Sequence, residues 1–155
     1  MEIDYDTGVH QLIIFSSSIT HLEEGDEIAV FDLNGFQNSG DCSSGIGKVL
    51  VGAGTWQGEQ LAISAIGSVD NCSFGGSQLA GYVDGNSIVV RIWDDSEDKE
   101  YETTFTITEG SDTFSTPGPT VITELNILGC IDDSACNYSS AANEDDDSCE
   151  YPSDL

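Results

Sequence analysis

Near the C-terminus, the run Asn143-Glu144-Asp145-Asp146-Asp147 sets oxygen-bearing side chains at alternate positions, Asn143, Asp145 and Asp147, with Asp146 between the last two. Calcium (Ca2+) is a hard cation that takes six to eight oxygens, and a tight loop of alternating acidic side chains can wrap one. Asp132 and Asp133 approach from the other end of the segment if a disulfide closes it, and Cys130 or Cys136 pairing with Cys149 would do so. Zinc suits this set less. Three cysteines without a histidine at finger spacing make a poor tetrahedral site, and the excess of carboxylates favours a hard metal. The opposing reading is a solvated acidic tail, which spacing alone does not exclude. The cysteines favour a site, because a disordered tail has little need of them.

The charge balance points the same way. The chain has 155 residues, with 29 acidic side chains against three basic ones, Lys48, Arg91 and Lys99, and a formal charge of −26. Such a surface repels phosphate, so nucleic acid and anionic membrane are poor partners, and it attracts divalent cations. Adaptation to a salty medium is a compatible explanation of the same charge. Five cysteines in a Gly-rich, Lys-poor chain suggest an oxidising compartment. The odd count leaves one thiol free or paired with another chain. Met1-Glu2-Ile3-Asp4 lacks the basic start of a signal peptide, so either a leader was removed or the chain is an excerpt of a longer protein. The longest apolar run, Leu12 to Phe15, is far too short to cross a bilayer.

The elements that must carry these groups read as strands and turns throughout. β-branched and aromatic runs fall at His10–Ser16, Glu27–Leu33, Gly47–Ala53, Gln60–Ile66, Ser87–Asp94, Glu100–Thr108 and Thr120–Leu128, punctuated by Gly, Asn and Asp. No segment shows sustained helical periodicity. Seven short strands at this spacing predict an all-β, antiparallel sandwich of jelly-roll or immunoglobulin-like type. Two polar loops, Asn34–Gly45 and Gly67–Gly81, hold Cys42 and Cys72. A bridge between them would staple both and contribute about 3 kcal/mol. A boundary near Leu128-Gly129 divides a sandwich domain, 1–128, from a tail, 129–155, with Cys130, Cys136, Cys149, eight acidic residues and no basic ones. The tail is too small for a core, so either disulfide or metal orders it or it is disordered.

The tail resembles a known repeat. Gly129-Cys130-Ile131-Asp132-Asp133-Ser134-Ala135-Cys136-Asn137-Tyr138, then Ala141, then Asp145-Asp146-Asp147-Ser148-Cys149-Glu150-Tyr151-Pro152 is similar to GCxDxxACNYxxxAxxDDGSCxY. That repeat occurs in secreted surface proteins of marine and Bacteroidetes-type bacteria and is similar to thrombospondin type 3 calcium-binding repeats. Asp147 departs from it, standing where the pattern has Gly, which either strains a turn or adds a ligand. More loosely, Gly25-Asp26-Glu27-Ile28-Ala29-Val30-Phe31-Asp32, Val51-Gly52-Ala53-Gly54-Thr55-Trp56, Asp84-Gly85-Asn86-Ser87-Ile88 and Ile92-Trp93-Asp94 resemble β-rich modules found beside such repeats. The resemblance implies an extracellular, non-enzymatic module of a surface protein.

Function classes separate on residues. For catalysis, His10 and His21 are the only histidines, and neither accompanies a nucleophile motif such as GxSxG. The expectation is therefore a non-enzyme. A structural or adhesive module, assembling with copies of itself or with other surface-protein modules, fits the sandwich and the tail. Leu12–Phe15 could be a donated strand, though a native first strand is the plainer reading. The fifth cysteine could link subunits. A calcium-assisted carbohydrate-binding module is the alternative, with Trp56, Trp93, Tyr82 and Phe74 as a platform for glycans. Against it stands the tendency of Trp to lie in the core. Asn71-Cys72-Ser73 and Asn137-Tyr138-Ser139 fit the glycosylation sequon, a pattern common by chance.

Overall fold

A computed structural model describes residues 7–40, 42 and 45–151. The described residues form ten strands: β1 His10–Phe15, β2 Glu27–Phe36, β3 Ile46–Thr55, β4 Leu61–Ile66, β5 Val69–Asp70, β6 Gln78–Leu79, β7 Val89–Asp94, β8 Lys99–Glu109, β9 Thr120–Gly129 and β10 Glu144–Asp145. A single 3-10 turn, Cys72–Phe74, sits between β5 and β6. The fold is thus all-β, as the run of β-branched segments predicts.

Hydrogen bonding runs β3-β2-β7-β8-β9-β1-β4, with β10 added on β9 and β5-β6 as a separate small ribbon. Two layers arise because β8 changes partner along its length. Lys99 to Glu102 pair with β7, and Thr103 to Glu109 pair with β9. The strand therefore passes from one layer to the other. At the far end β3 packs against β4. A Cβ added at Gly52 would stand 2.7 Å from Ile63 Cγ2, so only glycine lets the two strands approach this closely.

The core sits between the layers. Ile28 and Val30 of β2, Ile92 of β7, Ile13 and Phe15 of β1 and Ile122 of β9 are almost fully buried. Each such side chain contributes roughly 1.5–3 kcal/mol on leaving water. The alternation also sets register: a one-residue slip of β1 would turn Ile13 and Phe15 out to solvent. β1 is seated within its own chain, antiparallel to β4 and parallel to β9.

That parallel pairing corrects the expectation of a purely antiparallel sandwich. β1 and β9 align as Ile13↔Thr120 to Phe15↔Ile122, and β10 also runs parallel to β9. Apolar alternation specifies which face of a strand is inside and carries no information on its direction. Only the long connection between β1 and β9 leaves both directions open, and the tertiary fold selects one.

Four buried polar side chains are satisfied locally. Asp32 accepts from Asn34 N (2.8 Å), Val83 N (2.9 Å) and Asn86 Nδ2 (3.0 Å), which ties the turn before β7 to β2. Asp94 accepts from Ser96 N, Ser96 Oγ and Glu97 N and so shapes the β7–β8 turn. Asp26 accepts from Glu23 N at 2.9 Å. Gln11 bridges β1 to the loop before β9 and to β9 itself.

Candidate functional site

The acidic tail folds back against the end of β9. Cys130 and Cys149 form a disulfide, with 4.9 Å between their Cα atoms, and Cys136 is the free, exposed thiol. This settles the choice left open between Cys130 and Cys136. Within the resulting loop, Cys136 N donates to Glu150 O (2.7 Å), Asn137 Nδ2 donates to Ser148 O (2.6 Å), and Glu150 N donates to Asn137 Oδ1 (2.7 Å). Asn137 thus stitches the two arms of the cystine loop together. Cys42 and Cys72 form the second disulfide, stapling the two long loops as expected.

The tail is seated on the sheet by a small polar and apolar junction. β10 adds Glu144 and Asp145 beside Leu128 and Gly129 of β9. Ala141 and Ala142 pack against the main core, and Gly129 leaves room for Ala142. The hydroxyl of Tyr101, 4 % exposed, meets Ser139 Oγ at 2.5 Å and also bonds Glu97 Oε2. Ser140 Oγ donates to Glu97 Oε1 at 2.8 Å, and Thr104 Oγ1 donates to Glu144 Oε2 at 2.7 Å. Burial and the Glu97 carboxylate push the Tyr101 phenol up to about 12, so it remains a neutral donor.

The proposed ligands fall into distinct groups. Asp132 Oδ1 accepts from Ser134 N (3.0 Å) and Ser134 Oγ (2.7 Å), and its Oδ2 accepts from Tyr151 Oη (2.7 Å). The Tyr151 and Ser134 bonds hold its carboxyl below the usual range. Asn143 belongs to the sheet: its Oδ1 accepts from Ile127 N (2.6 Å) and its Nδ2 donates to Asn126 Oδ1 (2.9 Å). Asp145 accepts from Asp147 N (3.1 Å), and Asp146 accepts from Ser148 N (3.0 Å). Hydrogen bonding to Ser148, with a smaller contribution from the charge of Lys99, holds the Asp146 carboxyl below its ordinary value. Asp133, Asp145, Asp146 and Asp147 are exposed.

The donor set fits calcium in kind, being hard carboxylate oxygens on a disulfide-closed loop. Among the described residues, no three His, Cys, Asp or Glu side chains gather at one point. Binding at this loop therefore entails rotation of the exposed Asp145, Asp146 and Asp147 side chains. Asp147 has φ of 62°, in the left-handed region where glycine is favoured. Asp147 therefore holds this turn at a backbone cost.

Other groups singled out in the sequence lie apart from the tail. Trp56 and Tyr82 are 2 % exposed, and Tyr82 stacks on Phe114 at 4.5 Å, so neither offers a face to a sugar. Phe74 is 86 % exposed on its stapled loop, and Trp93 is half-buried. His10 Nδ1 lies 2.9 Å from Ser64 Oγ, and His21 lines a shallow cleft with Ser18 and Glu124. The three cations rest against aromatic rings: Lys48 and Arg91 flank Phe31, and Lys99 lies over Tyr101. No helix among the described residues is long and apolar enough to cross a membrane.

Comparison with known families, curated proteins and solved structures finds no match for this chain.

Sequence reasoning passed over the junction itself. Tyr101 reads as one more residue of an alternating strand, and Glu97 and Ser139 as turn polar groups. The only signal was the order of events: an aromatic at the foot of a strand, followed by a tail rich in small residues at 139–142.

Proposed function

We propose that this chain is a non-catalytic extracellular module, structural or adhesive in role, whose acidic tail binds calcium and stiffens the end of the sandwich. One observation carries the reading: a carboxylate-rich loop is closed by a disulfide and fastened to the sheet at Tyr101 and β9. A cation held by Asp145, Asp146 and Asp147, with Asp133 or Asp132 from the other arm, would relieve part of the repulsion in a chain of charge −26. Because the loop is bonded to the core, the stabilisation would pass to the whole domain by mass action.

Two disulfides suit an oxidising compartment, which supports a secreted or surface location. The partners that fit best are further copies or neighbouring modules of the same kind. The burial of Trp56 and Tyr82 weighs against the glycan alternative.

A thermal melt with calcium and then with EDTA, run beside a sizing column, tests the reading. The expected result is a higher melting temperature in calcium that EDTA reverses. An unchanged melting temperature across a wide range of calcium would end the metal assignment.

A further inference from the structure

The side chain of Gln11 on β1 is fully buried, and Thr120 at the start of β9 is 1 % exposed. They lie 109 positions apart, yet Gln11 Nε2 donates to Thr120 Oγ1 at 3.0 Å. The backbone N–H of Ser115 donates to Gln11 Oε1 at 2.7 Å. Thr120 Oγ1 in turn lies within reach of Ser111 O as a donor, 3.5 Å away. A hydroxyl oxygen therefore stands beside the amide nitrogen, one bond from the carbonyl carbon. A fixed N–H donor polarises the carbonyl oxygen. These are the parts of an acyl-transfer site: a nucleophile, an acyl group and a donor for the oxyanion.

We propose that Gln11 and Thr120 become joined by an ester bond after folding. Thr120 Oγ1 leaves the amide plane, where the Gln11 N–H holds it, and attacks Gln11 Cδ from above, and the carbonyl oxygen becomes an oxyanion held by Ser115 N–H. The hydroxyl proton turns from Ser111 O to the nitrogen, which is basic once the carbon is tetrahedral. The C–N bond then breaks, and the nitrogen leaves as ammonia. No electrons are gained or lost, and no co-reactant is needed. Fixed proximity supplies what the weak nucleophile lacks. Burial of both side chains keeps out the water that would hydrolyse the product, and escape of ammonia drives the step forward. The link would tie β1 to β9, so that tension applied at the two ends of the module would meet a covalent bond. The inference is independent of the calcium reading.

The test is the intact mass of the full chain, unfolded and with its disulfides reduced. The expected mass falls short of the sequence mass by one ammonia, and digestion yields the Gln11 and Thr120 peptides as a linked pair that hydroxylamine separates. Thr120→Val is expected to keep the full mass. Should that variant fail to fold, Gln11→Glu retains an acceptor for Ser115 N–H and is expected to keep its full mass too. Full mass in folded wild-type protein overturns the proposal, and so does an ammonia loss that maps to an asparagine rather than to a linked pair. Either failure leaves the calcium melt unaffected.

Discussion

The hydroxyl of Tyr101 on β8 lies 2.5 Å from Ser139 Oγ of the tail, and both side chains are buried. This contact joins a strand of the sandwich to the cystine loop, and Glu97 completes it from the β7–β8 turn. Tyr101→Phe removes the hydroxyl that donates to Glu97 and accepts from Ser139. The expected loss is about 1–2 kcal/mol in a denaturant melt, with faster amide exchange concentrated at residues 139–142. A uniform loss of protection across the sheet would argue against a local junction.

Alkaline titration probes the same phenol. Its folded pKa of about 12 lies above the ordinary value of 10. The folded state thus holds the proton more tightly, so this stabilisation is complete below about pH 10 and disappears as pH rises through about 12. A stability profile of a Cys136→Ser background, which suppresses thiol exchange, should show this alkaline loss. Tyr101→Phe should flatten it.

At Asp147 the backbone is left-handed, a conformation that glycine adopts freely. Asp147→Gly should stabilise the calcium-free protein by about 0.5–1 kcal/mol. In calcium the same variant should gain less than wild type if the carboxylate is a ligand. A melt of both proteins with and without EDTA separates relief of strain from loss of a ligand.

Removing the tail disulfide, as Cys130→Ser with Cys149→Ser, opens a loop of 19 positions. The chain-entropy estimate for such a loop is about 3 kcal/mol. The tail should then be cut by protease ahead of the sandwich. Cys136→Ser, by contrast, changes an exposed free thiol and should leave the melting temperature alone. Equal effects from the two changes would mean that Cys136 and Cys130 exchange as partners of Cys149.

Asp26 is 3 % exposed, and burial, reinforced by the charges of Asp94 and Glu23, raises its pKa. A raised carboxyl pKa means that ionisation opposes folding. The stabilisation is present below the ordinary 3.8 and is lost as pH rises through the folded value. Asp26→Asn keeps an acceptor for Glu23 N and should raise stability at pH 7. The difference from wild type should vanish below pH 3.8. Destabilisation at neutral pH would show that the carboxylate's bond to Glu23 N outweighs its desolvation.

The sequence by itself determined the seven longer strands and their inward faces, while the two-residue strands β5, β6 and β10 carry too few residues to show a pattern. Thr120–Leu128 as read differs from β9 by one residue, and Glu100–Thr108 from β8 by one at each end. Such agreement follows from local physics: β-branched alternation and Gly, Asn and Asp breaks act over a few residues. The Cys42–Cys72 pairing was legible for the same reason, since each was the lone cysteine of a long loop. Tertiary structure alone decided the direction of β1 beside β9, the change of partner along β8 and the choice of Cys130 over Cys136. It also assigned Asn143 to the sheet and brought Gln11 to Thr120. Each of these depends on which distant segments share an edge or a corner. That is a property of the folded sheet as a whole, and no window of sequence contains it.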